Sequence, residues 1–177
     1  MRKLTMILLM LAVVITGCGN TSSTGKAAEQ AQTPKTNAEQ GVTIGKQIPT
    51  FTLKNLDGKP VEIGVINNKV TIINFWATWC PPCREEMPEL NKFAAENSDK
   101  VIFVAVNIQE DKGKVGDFMK NNKYTMPVLL DTDGAVAKTF RVSAIPTTVI
   151  VDKEGIIKYR KSGTVTRSEL ETNIRGL

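Results

Sequence analysis

A chain of 177 residues, 41% hydrophobic and 6% aromatic, carries enough apolar material for one domain with a sizeable core, and its composition excludes a wholly disordered chain. Histidine is absent, which removes the usual general base near neutral pH and the commonest metal ligand; proton transfer falls to carboxylates, thiols or water. The formal charge of +5, or +3 without Arg2 and Lys3, is too mild to argue for nucleic acid as a partner.

The chain opens with "MRK" and the apolar run "LTMILLMLAVVIT", short for a membrane span and followed by Gly17 and Cys18. This predicts an export signal over residues 1–17. "ITGC" (Ile15 to Cys18) resembles the bacterial lipobox, in which the signal is cut before the cysteine and that cysteine is lipidated. The resemblance implies that Cys18 anchors the mature protein to the cell membrane, facing outside the cytoplasm, with no spanning helix. From Gly19 to Ile44 the sequence is rich in Thr, Ser, Gln, Asn, Ala and Gly and cannot bury enough apolar surface to fold. Residues 18–44 are therefore expected to be a lipidated cysteine and flexible tether, with an end-to-end span of roughly 25 to 30 Å.

From residue 45 to 177 short β-branched runs alternate with amphipathic segments, the pattern of a mixed sheet with helical crossovers in one α/β domain. "FTLKNLDGKPVEI" (51–63) predicts a hairpin turning at "DGK", and "VTIINFWA" (70–77) a central strand buried on both faces. "PPCREEMPELNKFAAEN" (81–97) is a helix and "VIFVAV" (101–106) a second buried strand. A helix over 111–122, a short strand over 127–130 and a helix over 133–140 follow. "TTVIVD" and "IIKYRKS" are strands joined at "KEG" (153–155). Thr166 with Glu169 three positions on has capping-box spacing for a closing helix over 166–177. No internal repeat is present.

The chemistry concentrates where the central strand meets the first long helix. Cys80 falls at the helix N-cap, with Pro81 and Pro82 at the first two helical positions, where a missing N–H removes nothing the helix would use. Partial positive charge at a helix N-terminus stabilises a thiolate. Cys80 is thus the expected nucleophile, and Cys83, one turn inside, the resolving thiol. Half a zinc site is the competing reading of C-x-x-C, but structural zinc takes four ligands and this chain has no histidine and only one further cysteine. A purely structural disulfide would close a loop too small to restrain the unfolded chain much. No metal and no cofactor are expected.

"NFWATWCPPC" resembles the strand, Trp-Cys-x-x-Cys, helix motif of the thioredoxin superfamily, and "AIPTTVI" (144–150) its later Ile-Pro-Thr strand. The additional helix and strand over about 107–130, the lipobox, and phrases such as "FMKNNKYTMPVLLDTDG" make the chain similar to the ResA/TlpA-like membrane-anchored thioredoxins. The resemblance implies a thioredoxin-like fold with an N-terminal β-hairpin and a central helix–strand insertion. It implies an extracytoplasmic thiol–disulfide oxidoreductase that acts as a monomer on disulfide-bearing client proteins, apocytochrome c among them, and is re-reduced by a CcdA-like membrane electron donor. Residue by residue, Ile145 and Pro146 match the family's cis-proline pair, which faces the cysteines and docks an extended substrate. Glu86 matches the acidic position of the active-site cleft. Asn74 departs from cytosolic thioredoxin, where a buried aspartate moves protons, and Glu86 is the candidate to replace it. Trp76 is expected in the core, and Trp79 at the rim of the site together with Pro81 and Pro82.

Charge predicts the direction of electron flow. An oxidant needs a strongly stabilised thiolate. Here two prolines remove backbone donors and Glu85 and Glu86 add negative charge, opposed by Arg84, so a reductant is expected. A peroxiredoxin-type peroxidase would need a Pro-x-x-x-Thr-x-x-Cys setting, which "NFWATWC" lacks. A non-catalytic binding lipoprotein remains the third reading.

Overall fold

The computed structural model describes residues 42–64, 66 and 68–177. The expected signal over 1–17, Cys18, and residues 19–41 of the expected tether lie outside the described residues. Within the tether's last three positions Val42 is buried while Thr43 and Ile44 are exposed, and three residues after Val42 the Gly45 N–H donates to the Ile157 carbonyl at 2.8 Å. Two apolar side chains, Val42 and Ile48, bring this stretch onto the domain although its neighbours are polar.

The elements in chain order are β1 (Phe51–Asn55), β2 (Pro60–Ile63), β3 (Val70–Trp76), α1 (Pro81–Glu96), β4 (Val101–Ile108), α2 (Lys112–Asn121), β5 (Val128–Asp131), α3 (Ala135–Thr139), β6 (Thr147–Val151), β7 (Ile157–Ser162) and α4 (Arg167–Ile174). The expected hairpin, the helix–strand insertion and the flanked mixed sheet are all present, with boundaries differing by up to three residues, as fraying ends do. The strands form a seven-stranded sheet in the order β2-β1-β5-β4-β3-β6-β7. β3, β4 and β5 run parallel, joined by helical crossovers, while the hairpin β1–β2 and the pair β6–β7 close the sheet antiparallel on either side.

The turn of the first hairpin is built by Asn55, whose Oδ1 accepts the N–H groups of Asp57 and Lys59, and by Gly58 at φ 83°, a backbone only glycine adopts readily. β3 is buried along its whole length. Its alternate residues serve two cores: Ile72 and Trp76 face α1, α2 and α4, while Ile73 and Phe75 face α3 and the N-terminal segment. α1 buries Cys83, Glu86, Met87, Leu90, Phe93 and Ala94, a stripe at helical spacing. Pro88 lies inside that helix on its exposed side and deprives the Arg84 carbonyl of its usual donor. α3, only five residues long, is held by Asp131, whose carboxylate accepts the Val136 and Ala137 N–H groups at 3.1 and 2.7 Å. Thr166 and Glu169 complete the expected capping box of α4.

Because β3 is central and parallel to its neighbour β4, its C-terminal end opens at the rim of the sheet, where the chain turns into α1. This end of a parallel sheet is where α/β folds place their sites.

Candidate active site

Cys80 is the N-cap of α1, in extended conformation, and Pro81 and Pro82 occupy the first two helical positions. The Cys83 N–H is the first helical donor the prolines leave available, and it donates to Cys80 Sγ at 3.3 Å. Cys80 and Cys83 are joined as a disulfide with their Cα atoms 5.3 Å apart. Both are buried, whereas Pro81 and Pro82 are exposed and form the outer lip.

The Ile145–Pro146 bond is cis and lies across from the dithiol: Cys80 Sγ is 3.7 Å from the Ile145 carbonyl oxygen. Pro146 is buried and Ile145 half-buried. Trp76 is fully buried in the core, its ring centroid 5.4 Å from that of Phe118, while Trp79 is 62% exposed. Trp79 and Ile145, with Ile108 and Val142, line an open groove of about 380 Å³ beside the disulfide. A larger cavity of about 610 Å³ includes Val70 and Val101, at the N-terminal ends of β3 and β4. It therefore sits at the opposite end of the sheet from the cysteines.

Glu86 is buried at 6% exposure, although its neighbour Glu85 points to solvent. Its two oxygens are held separately: Oε1 accepts from Asn74 Nδ2 at 2.9 Å, and Oε2 from the Val165 N–H at 2.8 Å. Asn74 Nδ2 also donates to Thr148 Oγ1 at 3.0 Å. Asn74, Thr148 and Lys161 are cross-strand partners on β3, β6 and β7, so their side chains share the face beneath α1. Burial pushes the Glu86 carboxyl above its ordinary value, opposed by the Val165 and Asn74 donors and by the Lys161 charge. Lys161 is itself raised by its 2.5 Å hydrogen bond to Glu169. Standing three residues after Cys83 on one helix, Glu86 and that thiol have Cβ atoms about 5 to 6 Å apart. The arrangement places a carboxyl of raised proton affinity against a redox pair in a chain without histidine.

Sequence reasoning found the cysteines, the prolines, Trp79, Ile145, Pro146, Glu86 and Asn74. The structure places them all at the C-terminal end of β3. Thr148, Val165 and Lys161 were missed, as was Glu110, a buried carboxylate under the loop that precedes Cys80. Glu110 carried one signal: an acidic residue two positions after an apolar parallel strand. Among the described residues no group of three His, Cys, Asp or Glu side chains could hold a metal ion.

The Redoxin family model matches residues 43–174. Over 139 residues the chain is 38% identical to the thioredoxin-like protein YneN of Bacillus subtilis, covering 77% of this chain and 81% of that one. It is 37% identical over 131 residues to the thiol-disulfide oxidoreductase ResA of the same organism, covering 73% of each. The crystal structure of StoA from Bacillus subtilis superposes with a TM-score of 0.63 at 33% identity, over 71% of this chain and 96% of that one. The similarity thus spans the whole described domain, and the architecture is thioredoxin-like.

Proposed function

Since the chain belongs to the Redoxin family and is a thiol–disulfide oxidoreductase of the ResA/StoA type, we propose that it is a reductant of client-protein disulfides, tethered through Cys18 to the outer side of the cell membrane. The observation that carries the direction is the environment of Cys80. The two prolines supply no N–H, the sulfur has one backbone donor at 3.3 Å, and a buried carboxyl lies one turn beyond its disulfide partner Cys83. A thiolate so weakly stabilised makes the dithiol the less favoured state, which is the poise of a reductant.

In the reduced protein the Cys80 thiolate attacks a client disulfide, forming a mixed disulfide and releasing one client sulfur as a thiolate that takes up a proton. The Cys83 thiol then loses its proton and attacks Cys80 Sγ. The intramolecular disulfide forms and the second client sulfur leaves. Two electrons and two protons pass to the client. Glu86, across the helix turn from Cys83, is suited to take the Cys83 proton, because burial raises its proton affinity above that of an ordinary carboxylate. Trp79, Pro81 and Pro82 form the surface the client meets, and the Ile145 carbonyl, 3.7 Å from the attacking sulfur, offers an acceptor to an extended client strand. Regeneration requires a membrane electron donor of CcdA-like type, and apocytochrome c is one client of suitable chemistry. The protein acts as a monomer and uses no cofactor.

Cys83→Ala tests this reading. Without the resolving thiol the mixed disulfide accumulates, and non-reducing electrophoresis of cells expressing the variant should show Cys80-linked adducts with extracytoplasmic proteins. Absence of adducts, together with peroxide consumption by the reduced parent protein, would move the function to a peroxidase.

A further inference from the structure

The segment Ala77–Trp79 joins β3 to α1 without regular structure, yet it carries the exposed indole of Trp79 and delivers the chain into Cys80. Its own hydrogen bond, Cys80 N–H to the Ala77 carbonyl at 3.2 Å, closes the turn. What fixes its middle is Glu110. The Thr78 N–H donates to Glu110 Oε2 at 2.7 Å and the Thr78 hydroxyl to Oε1 at 2.6 Å, so one carboxylate grips both the backbone and the side chain of one residue. Asn107 Nδ2 donates to Oε2 at 2.8 Å and Lys114 Nζ to Oε1 at 2.7 Å, which gives the carboxylate four donors.

The cluster is committed to that carboxylate. Thr78 and Glu110 are buried, and Asn107 is fully so. Asn107 turns its amide towards Glu110 even though its own Oδ1 is then left without a hydrogen-bond partner. The opposite amide orientation would set two oxygens against each other. Lys114 remains half-exposed, so it neutralises Glu110 without losing its hydration. Burial raises the Glu110 carboxyl, but the Lys114, Thr78 and Asn107 donors together outweigh it and hold the pKa below its ordinary value. The group is a carboxylate throughout the physiological range.

Glu110 follows Ile108 and Gln109, and those two residues line the same groove as Trp79. We propose that Glu110 is a positioning residue for client recognition: by holding Thr78 it ties Trp79 to the Ile108–Gln109 part of the groove lining and fixes the place of the indole in the slot that receives the client polypeptide beside the disulfide. The proposal rests on exchange with a polypeptide disulfide and holds whichever way the electrons run.

The test compares Glu110→Gln, Thr78→Val and the parent, each reduced, on two substrates: a short cysteine-bridged peptide and hydroxyethyl disulfide, which is too small to span the groove. Glu110→Gln weakens a charge-assisted grip on one backbone amide, and the KM for the peptide should rise about tenfold, with a much smaller loss on the small disulfide. Thr78→Val, which keeps the backbone donor and loses the hydroxyl, should raise the peptide KM less, and the double variant should add little to Glu110→Gln. A parental KM for the peptide in Glu110→Gln, or equal losses on both substrates, overturns the proposal. If Glu110→Gln does not fold, Thr78→Val decides by the same comparison, and a parental peptide KM there overturns it. A parent protein that exchanges with neither substrate is a distinct result: it removes the oxidoreductase reading and this proposal with it.

Discussion

Replacing Asn74 by Asp exchanges one atom against Glu86 and should give the protein a pH dependence that the parent lacks in degree. Asn74 Nδ2 stands 2.9 Å from Glu86 Oε1. In Asn74→Asp an oxygen takes that place, and two carboxylate charges 2.9 Å apart repel by about 6 kcal/mol at an effective dielectric constant of about 20. The pair will not ionise twice; it retains one proton well above the pH near 4 at which the unfolded carboxyls lose theirs. The folded pKa is raised, so the favourable contribution is complete below about pH 4 and is lost as pH rises through the folded value, at about 1.4 kcal/mol per pH unit. In the parent, Glu86 is also raised by burial, with the same sign but over a shorter window, because its neighbour is a donor. Denaturant unfolding of the oxidised proteins at intervals across this range measures both curves. The stability gap between variant and parent should widen steadily with pH. Parallel curves would mean that position 74 does not face Glu86, and the account of how the carboxyl is held would fail.

The remaining predictions concern the site and the anchor. Glu86→Gln should lower the Cys80 pKa and make the disulfide more oxidising, since it removes a carboxyl one helical turn from Cys83; Glu85→Gln, on the exposed side of α1, should shift neither, and equal shifts in alkylation-versus-pH curves would deny Glu86 its role. Alkylation of the reduced protein should modify Cys80 before Cys83, because Cys80 is the N-cap and Cys83 lies inside the helix under it; mass spectrometry of partly modified protein decides, and faster labelling of Cys83 reverses the roles. Cys18→Ala should move the protein from the membrane fraction to the soluble one, and an unchanged distribution would refute lipidation.

The legible and illegible parts of this molecule differ in physical kind. β3 was readable because seven consecutive buried residues leave a run that is apolar at all but Thr71 and Asn74, and the start of α1 because two adjacent prolines fit nowhere in a helix but its first turn. Glu86 was half readable. Its position falls on the stripe marked by Cys83, Met87, Leu90 and Phe93, which places it indoors by periodicity alone. What holds it there was not readable, since Asn74, Thr148 and Val165 come from two strands and a loop, up to 79 residues away in sequence. Glu110 shows the same limit: its four donors lie between 3 and 32 residues off, and only the packing of β4 beside β3 brings Thr78 within reach. Val42, placed in the expected tether, shows another limit: polar neighbours hide an apolar side chain that packs, with Ile48, onto the domain.

The central claim is that the Cys80–Cys83 pair is poised to give electrons. Equilibrating the purified domain with glutathione buffers and, separately, with dithiothreitol, and reading the dithiol fraction by alkylation and mass, measures that poise directly. The weak stabilisation of the Cys80 sulfur, with one backbone donor and a buried carboxyl nearby, predicts a potential more reducing than about −220 mV, so that the disulfide survives in glutathione and yields to dithiothreitol. A disulfide that glutathione reduces readily, with a potential near the −120 mV or so of a strong oxidant, would contradict it.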